Sequence, residues 1–307
     1  MRHNDAVAPV VAAILILAVV VTLISAFQVT VVPAMKERSE MEHIAGVEMA
    51  LLRFSSHIET AAAMKQPLVF SETIQLGGGD TLLNSIKSGG TLYVMNDGEK
   101  PLAQINITNH SHSTISNITL INFSYSPVGN YWRDQGYDWR WGVMNVSSGG
   151  RETPLIFPTM QVAEESILNS GFPGSLITIK TDWGLIPERF DNGTITGNLI
   201  EHISIITIDR VAYSAGNPDF TSGNANTRLA LSAKINETRI FNVTELGFRV
   251  PDNTLIPESF RYALNNSLGH QLSSLNPTFS QPTWTISFTG HLPDLILRET
   301  DIRVTAG

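Results

Sequence analysis

Histidine is the residue type in this chain best suited to proton transfer or metal binding, and it occurs eight times. Only His110 and His112 lie close together, and no acidic residue follows them at the spacing of a metal ligand set. The chain has no cysteine and no Gly-x-Ser-x-Gly, P-loop or His-Glu-x-x-His motif. The turns at 191–193 and 217–219 could offer oxygens to calcium, although turns use the same residue types anyway. We therefore expect no catalytic site, no cofactor and no metal centre, with calcium as the open alternative.

Aromatic residues are concentrated in one short segment, where three of the five tryptophans fall within ten residues. The candidate binding residues are Tyr131, Trp132, Tyr137, Trp139 and Trp141. Exposed aromatic rings with arginines between them could stack on surface glycans or on a partner. The alternative is that these large side chains are buried and fill one end of the fold. The sequence leaves both interpretations open.

The acceptor motif for N-linked glycans, Asn-x-Ser/Thr, occurs nine times after residue 100 and nowhere before it. The nine asparagines are Asn106, Asn109, Asn117, Asn122, Asn145, Asn192, Asn236, Asn242 and Asn265. Such motifs matter only where glycosylation enzymes reach them, so their number favours a surface outside the cell. A chain rich in Asn and Thr also forms these motifs by accident, which is the alternative interpretation.

The element that would place such a surface is the N-terminal segment. Residues 6–27 form a run of 22 residues without a charge. A helix of that length spans about 33 Å, enough to cross the roughly 30 Å hydrocarbon core of a membrane. Pro9 suits the first turn of such a helix, whereas Pro33 lies deeper and predicts a kink or a break. We expect a membrane helix over residues 6–32.

A second helical pattern follows Pro33. Apolar residues at alternating spacings of three and four form one stripe: Ile44, Val47, Leu51, Phe54 and Ile58. Gln66 and Pro67 end the segment. We expect an amphipathic helix over residues 33–66. Its stripe would dock on the protein's own β-domain or, alternatively, pack against other copies of the chain.

The order of residues at the N-terminus resembles that of archaeal type IV pilins and pilin-like proteins. Members of that family carry an Ala-Val-Ser-Pro-Val start to an apolar helix, and residues 6–10 read Ala-Val-Ala-Pro-Val. The resemblance implies that residues 1–5 form a short leader, which a dedicated peptidase removes between Asp5 and Ala6. It also implies a filament core in which the apolar helices of many subunits pack together, with Ile14 and Leu17 among the packing residues. An uncleaved membrane anchor stays open as the alternative.

Residues 67–307 have a different sequence pattern, in which short runs rich in Val, Ile, Thr, Tyr and Phe alternate with turn signals. The runs are Leu68–Leu76, Thr91–Met95, Leu102–Thr108, Thr114–Tyr125, Ser175–Asp182, Asn198–Val211, Arg228–Val243, Thr283–Thr289 and Leu295–Thr305. This pattern predicts a mainly antiparallel β-sandwich head of about 8–12 strands, as one large sandwich or two halves. One helix, opened by Pro257, would interrupt it.

Composition narrows the class of function. A net charge of −8 and a low charged fraction of 16% argue against a nucleic-acid-binding protein, which is normally basic. We expect a structural surface protein, a minor or tip pilin-like subunit with a glycosylated head outside the cell. Its expected partners are membrane lipid, other pilin-like subunits and surface glycans. The alternative is a single-pass surface protein that never polymerises and presents its head as a binding module.

Overall fold

The longest element is the N-terminal helix α1, Val7–Met64, which is followed by a mainly antiparallel β-rich region. The computed structural model describes residues 7–78, 88–98, 100–128, 135–189, 195–251, 256–280 and 282–307. At 1.5 Å per residue the 58 residues of α1 extend for about 87 Å. The predicted order, a long helix and then a β-rich head, is confirmed.

The ends of α1 follow from residues at its two boundaries. Pro9 lies in the first turn, where a backbone N–H has no helical partner to lose. Lys65 adopts a left-handed conformation with φ 48°, and its N–H bonds to the Ala61 carbonyl at 3.2 Å, which closes the last turn. Pro33 lies inside the helix, which continues through it, so of the predicted kink or break the break does not occur. Its one missing N–H is outweighed by the intact turns on both sides.

The strands of the head form three sheets in the part of the chain that the structure describes. Sheet I has the order β1 (Leu68–Gln75), β12 (Asn226–Ile240), β16 (Asp294–Ala306), β10 (Ile195–Ala215) and β9 (Ile177–Arg189). Sheet II has the order β11 (Phe220–Gly223), β2 (Gly89–Asn96), β5 (Ile121–Val128), β6 (Gln135–Arg140), β7 (Val143–Ser148) and β8 (Arg151–Pro154). Sheet III has the order β14 (Thr278–Ser280), β15 (Thr283–Ser287), β13 (Val243–Arg249), β3 (Ala103–Asn109) and β4 (Ser113–Ile118). Neighbouring strands are antiparallel except for β10 and β16, which are parallel.

Three further helices belong to the head: α2 (Met160–Asn169), α3 (Phe172–Ser175) and α4 (Glu258–Leu272). Helix α4 begins directly after Pro257, as predicted, and buries the side chains Phe260, Leu264, Leu268 and Leu272. Helices α2 and α3 and strands β6 to β8, β11, β13 and β14 were not predicted. The described residues hold sixteen strands, more than the 8–12 expected, and three sheets where a sandwich has two.

The apolar stripe of α1 packs into the core of the protein's own head. Ile44 is 5% exposed, while Leu51 and Phe54 are fully buried. These residues belong to one continuous cluster with the buried side chains of all three sheets and of α4. The expectation that the stripe docks on the protein's own β-domain is confirmed.

Sheets I and III are joined by a charged cluster around Arg210, which is 8% exposed, while Asp301 of the same cluster is open to solvent. Its guanidinium donates to Asp301 Oδ1 at 2.6 Å, to Glu299 Oε1 at 2.8 Å and to Ser116 Oγ at 2.7 Å. Ser116 lies in β4 and the two acids lie in β16. Because every charge in the cluster has a partner of opposite sign, the burial of Arg210 is tolerated.

The register of sheet I defines which end of the head lies farthest from the apolar part of α1. Gln75, at the end of β1, bonds to His43 in α1, whereas Leu68 follows the end of the helix. Strand β12 pairs Asn226 with Gln75 and Ala233 with Leu68. It then continues to Ile240, about 20 Å further at the usual rise of 3.3 Å per residue. We call the end of the sheet at Ile240 the distal end.

Candidate functional site: the apolar helix and its junction with the head

The N-terminal part of α1 makes no contact that shields it from solvent. Residues 9–31 are all exposed, with Ile14 at 60% and Leu17 at 62%. The most apolar window of the helix has a mean hydropathy of 3.0, and none of it is buried. Thr22 and Thr30 donate their hydroxyls to carbonyls one turn earlier, at 2.8 and 2.6 Å, so even these polar groups are satisfied within the helix.

This segment is long and apolar enough to span a membrane. The helix residues predicted for it, Pro9, Ile14, Leu17 and Pro33, are exposed along its length. An isolated apolar helix in water would expose its whole surface at a cost of about 25 cal/mol per Å². Burial of this surface in lipid or against other apolar helices would remove that cost. The predicted processing site, Asp5 and Ala6, lies outside the described residues.

The environment of α1 changes abruptly at Lys36. Lys36 and Glu40 are both 1% exposed, and His43 is 8% exposed. His43 Nε2 lies 2.6 Å from the Gln75 carbonyl oxygen and acts as its donor. A Cβ at Gly78 would lie 2.7 Å from His43 Cβ, so the close approach of this loop to the helix requires glycine. The head therefore begins to enclose α1 immediately after its apolar part.

Three buried tyrosines contact α1 from the sheets. Two of them bond to groups of the helix, and the third, Tyr125, meets the His43 ring of α1 edge-on with centroids 6.3 Å apart. The Tyr125 hydroxyl donates to the Leu76 carbonyl at 3.0 Å, beside the helix, and the Tyr137 hydroxyl donates to Glu48 Oε2 at 2.8 Å. The Tyr213 hydroxyl donates to the Ile58 carbonyl at 2.6 Å. Burial raises the pKa of all three phenols, and a nearby carboxylate raises each pKa further. They therefore remain neutral donors at physiological pH.

The far end of α1 is tied to sheet I by Lys65. Its ammonium group donates to the Thr178 hydroxyl in β9. Burial lowers the pKa of Lys65 to about 8, while the charge of Asp209 acts in the opposite direction. Glu72 in β1 also accepts from Arg53 at 3.3 Å and lies 3.2 Å from His57. Together with the bond between His43 and Gln75, these contacts fix the second half of α1 alongside β1.

The aromatic segment is mainly a structural plug. Trp139 is fully buried and Tyr137 is 1% exposed, so these two residues cannot form the predicted binding platform. Trp139 stacks on Phe123 with ring centroids 5.3 Å apart, and Phe54 of α1 meets Phe123 edge-on at 5.4 Å. Of the two interpretations left open by the sequence, the buried plug applies to these two residues, because β6 turns alternate aromatic residues inward.

The remaining members of the aromatic group differ. Trp141 is partly exposed, donates its indole N–H to Asp97 and lies under the Arg140 guanidinium at 5.1 Å. These contacts fix the ring in a turn between β6 and β7. Tyr131 and Trp132 lie outside the described residues.

The predicted glycan acceptors fall into three groups. Asn117, Asn236 and Asn242 are exposed, whereas Asn106, Asn109 and Asn265 are half-buried. Asn122 and Asn145 are only 4% and 8% exposed. A glycan must extend from the side-chain amide into solvent. Asn122 and Asn145 therefore cannot carry a glycan in the folded head and are not candidate acceptors. Asn192 lies outside the described residues.

Mass spectrometry of glycopeptides from surface-isolated protein can test this grouping. We expect glycans at Asn117, Asn236 and Asn242, because their amides are open to solvent. We expect none at Asn122 or Asn145, which serve as internal controls with the same motif in the same chain. Occupancy of the two buried sites at the level of the exposed ones, or no glycan on the exposed ones, would contradict the grouping.

Sequence reasoning missed a groove at the distal end of sheet I. Strands β9 and β10 continue there as a two-stranded ribbon, residues 183–189 and 195–204, which we call the distal ribbon. Beside it lies a groove of about 720 Å³, the distal groove. Its lining includes Trp183, Ile186, Ile200, His202, Phe288 and His291. The apolar run 183–187, which contains a tryptophan, was the available signal.

Comparisons with family models, with curated proteins and with solved structures find no match to this chain. Within the described ranges, no group of three or more His, Asp or Glu residues could hold a metal ion. The candidate site is therefore described by its geometry alone. One helix, α1, has an exposed apolar first part and a second part that is packed into the β-rich head.

Proposed function

We propose that this chain is a membrane-anchored surface protein of the archaeal type IV pilin-like class, with its β-rich head outside the cell. The observation that carries the proposal is the change in side-chain exposure along α1 between residues 35 and 36. The part before this point is exposed and apolar on every side, and the part after it is built into the head. Such a helix can leave the membrane only by exchanging lipid for other apolar helices.

The subunit role rests on the length and rigidity of α1. Because α1 is one continuous helix of 58 residues and its second half is packed into the head, the position of its apolar part determines the position of the head. In an assembly, copies of residues 7–35 would pack side by side, with van der Waals contact as the driving force. The head of about 240 residues is bulky for a densely packed filament, which favours a minor or tip subunit.

The surface location is supported by the chemistry of the head. Six of the acceptor motifs have side chains that are exposed or half-buried in the described part of the chain. The net charge of −8 keeps such a head soluble. We further propose that these asparagines carry glycans and that the head protects the surface or adheres.

The mature N-terminus tests the pilin-like route. We expect N-terminal peptide analysis of surface-isolated protein to find Ala6 as the first residue, because the resemblance places the cleavage after Asp5. Retained Met1 or Arg2 would contradict that route. It would favour the second candidate, an uncleaved single-pass surface protein, which the same exposed helix segment supports.

A further inference from the structure

The strongest unexplained feature of the head is the distal ribbon. Strand β16 begins at Asp294, opposite Ile205 of β10, but β10 itself begins at Ile195. Ten residues of β10 therefore extend past the start of β16, over roughly 30 Å. In the part of the chain that the structure describes, β9 is the only strand bordering this stretch, so one edge of it is left open.

The ribbon is unusually apolar for an exposed element. Trp183 is 50% exposed, Leu185 is 61% exposed, and Leu199 and Ile200 are 60% and 43% exposed. The pairings Ile203 with Trp183 and Ile200 with Ile186 place apolar side chains on both faces. A two-stranded ribbon has no core of its own, and soluble proteins rarely leave such a surface uncovered without a use for it.

The open edge of β10 borders the distal groove. The groove is lined by both strands of the ribbon and by part of the segment 288–293. The ribbon residues are Trp183, Ile186 and Pro187 of β9 and Ile200, His202 and Ile203 of β10. The His202 ring meets the His291 ring edge-on, with centroids 4.1 Å apart. The His202 ring also packs against Gly184, where an added Cβ would lie 2.9 Å from His202 Cε1. The groove is therefore a built feature, which lies against both strands of the ribbon and against the segment that leads into β16.

The two outer edges of the ribbon are not equivalent. Strand β9 carries Pro187, which has no N–H to donate, and proline is a common means of blocking an edge strand. The stretch of β10 from 195 to 204 contains no proline. Hydrogen bonding to a new strand is therefore favoured at the open edge of β10.

Charge distinguishes between possible occupants. Residues 182–189 and 195–204 contain the acids Asp182, Glu188 and Glu201 and one basic side chain, Arg189, which gives this stretch a net charge of −2. A second copy that presented the same ribbon would bring the same negative charge to this place. A partner with apolar residues and flanking Lys or Arg is complementary to both the groove and its rim.

We propose that the distal ribbon binds an extended, basic polypeptide segment of a partner protein, which adds as a strand to the open edge of β10. Backbone hydrogen bonds to β10 would supply affinity, and alternate apolar side chains of the segment would enter the distal groove. This deepens the proposed function and rests on it, because the distal end points away from the membrane only if α1 is the anchor. It also replaces the aromatic segment as the recognition surface of the head.

Binding of a synthetic peptide to the full chain in lipid nanodiscs tests the proposal. The probe is fluorescent Lys-Val-Thr-Val-Thr-Val-Lys, and the controls are the same peptide with proline at its centre and with Glu at both ends. We expect binding of the first peptide only, together with slowed hydrogen exchange of backbone amides in 199–204. Equal binding of the proline peptide, or no protection of these amides, would overturn strand addition.

Variants of the chain locate the site. Ile200→Asp places a charge in the groove and should weaken peptide binding at least about tenfold. Ile115→Asp is the matched control, since Ile115 is 63% exposed on edge strand β4 and lies outside the groove. Equal loss in both variants would overturn the assignment.

Other outcomes separate this proposal from related ones. Self-association of the nanodisc-embedded chain that Ile200→Asp abolishes would identify a second copy as the occupant and overturn the proposal. So would binding of a neutral oligosaccharide in place of the peptide. Peptide binding does not depend on N-terminal processing, so a retained leader with intact binding would contradict only the pilin-like route.

Discussion

Replacing Ile14 and Leu17 together by aspartate should release the protein from the membrane and from any filament. Both side chains lie in the uncovered part of α1, three residues apart and so on one face. Each aspartate at the centre of a membrane helix costs about 2.5–3.5 kcal/mol, and two cost about 5–7 kcal/mol. The measurement is the fraction of the protein that remains in membrane pellets after an alkaline wash and in sheared filament preparations.

The matched control for this variant is Ile14→Val with Leu17→Val, which keeps both positions apolar and should behave as wild type. An aspartate variant that pellets like wild type would contradict a membrane role for the segment. Retention of the wild-type chain in membranes, with none in sheared filaments, would favour the single-pass alternative over a subunit.

Phe54→Ala should be the most damaging single truncation at the junction between α1 and the head. Phe54 is fully buried and meets Phe123 edge-on, and Phe123 in turn stacks on Trp139. Removing its ring leaves a cavity between the helix and sheet II, at a cost of about 3–5 kcal/mol in the free energy of unfolding. Chemical unfolding followed by tryptophan fluorescence measures this loss, because Trp139 reports on the same contact.

Met49→Ala provides a control on the same helix, five residues earlier. Met49 is 55% exposed, so its truncation should change the free energy of unfolding by no more than about 0.5 kcal/mol. A similar cost for both variants would mean that α1 is not docked through its apolar stripe. A large cost for Phe54→Ala alone supports the rigid connection between anchor and head.

Much of the fold could be predicted because its signals are local. Pro9 and the Gln66-Pro67 pair bracket α1, and the spacing of its apolar residues identifies the face that is buried. Runs of β-branched residues between turn signals predicted most strands. Strands β6 to β8, β11, β13 and β14 were missed. In β6 the inward residues Tyr137 and Trp139 are aromatic, and they were considered both as a buried plug and as a recognition segment.

Features that depend on distant pairing could not be predicted. The parallel pairing of β10 with β16 joins residues about ninety positions apart, and no local pattern encodes it. That pairing also creates the distal ribbon. Strand β16 starts opposite Ile205, so the ten residues of β10 before Ile205 have no β16 partner and their edge is open. In the same way, the motif at Asn122 is identical in kind to the one at Asn117, and only sheet packing separates the buried acceptor from the exposed one.

Cysteine labelling on intact cells tests the central claim most directly, because the chain has no cysteine of its own and a single introduced thiol is unambiguous. Ser148→Cys places the thiol at an exposed position of the head, and Leu17→Cys places it in the apolar part of α1. With a membrane-impermeant maleimide, we expect Ser148→Cys to be labelled on intact cells and Leu17→Cys to stay protected until the lipid is removed. Labelling of Leu17→Cys as fast as Ser148→Cys, or labelling of Ser148→Cys only after lysis, would contradict a membrane-anchored protein with an external head.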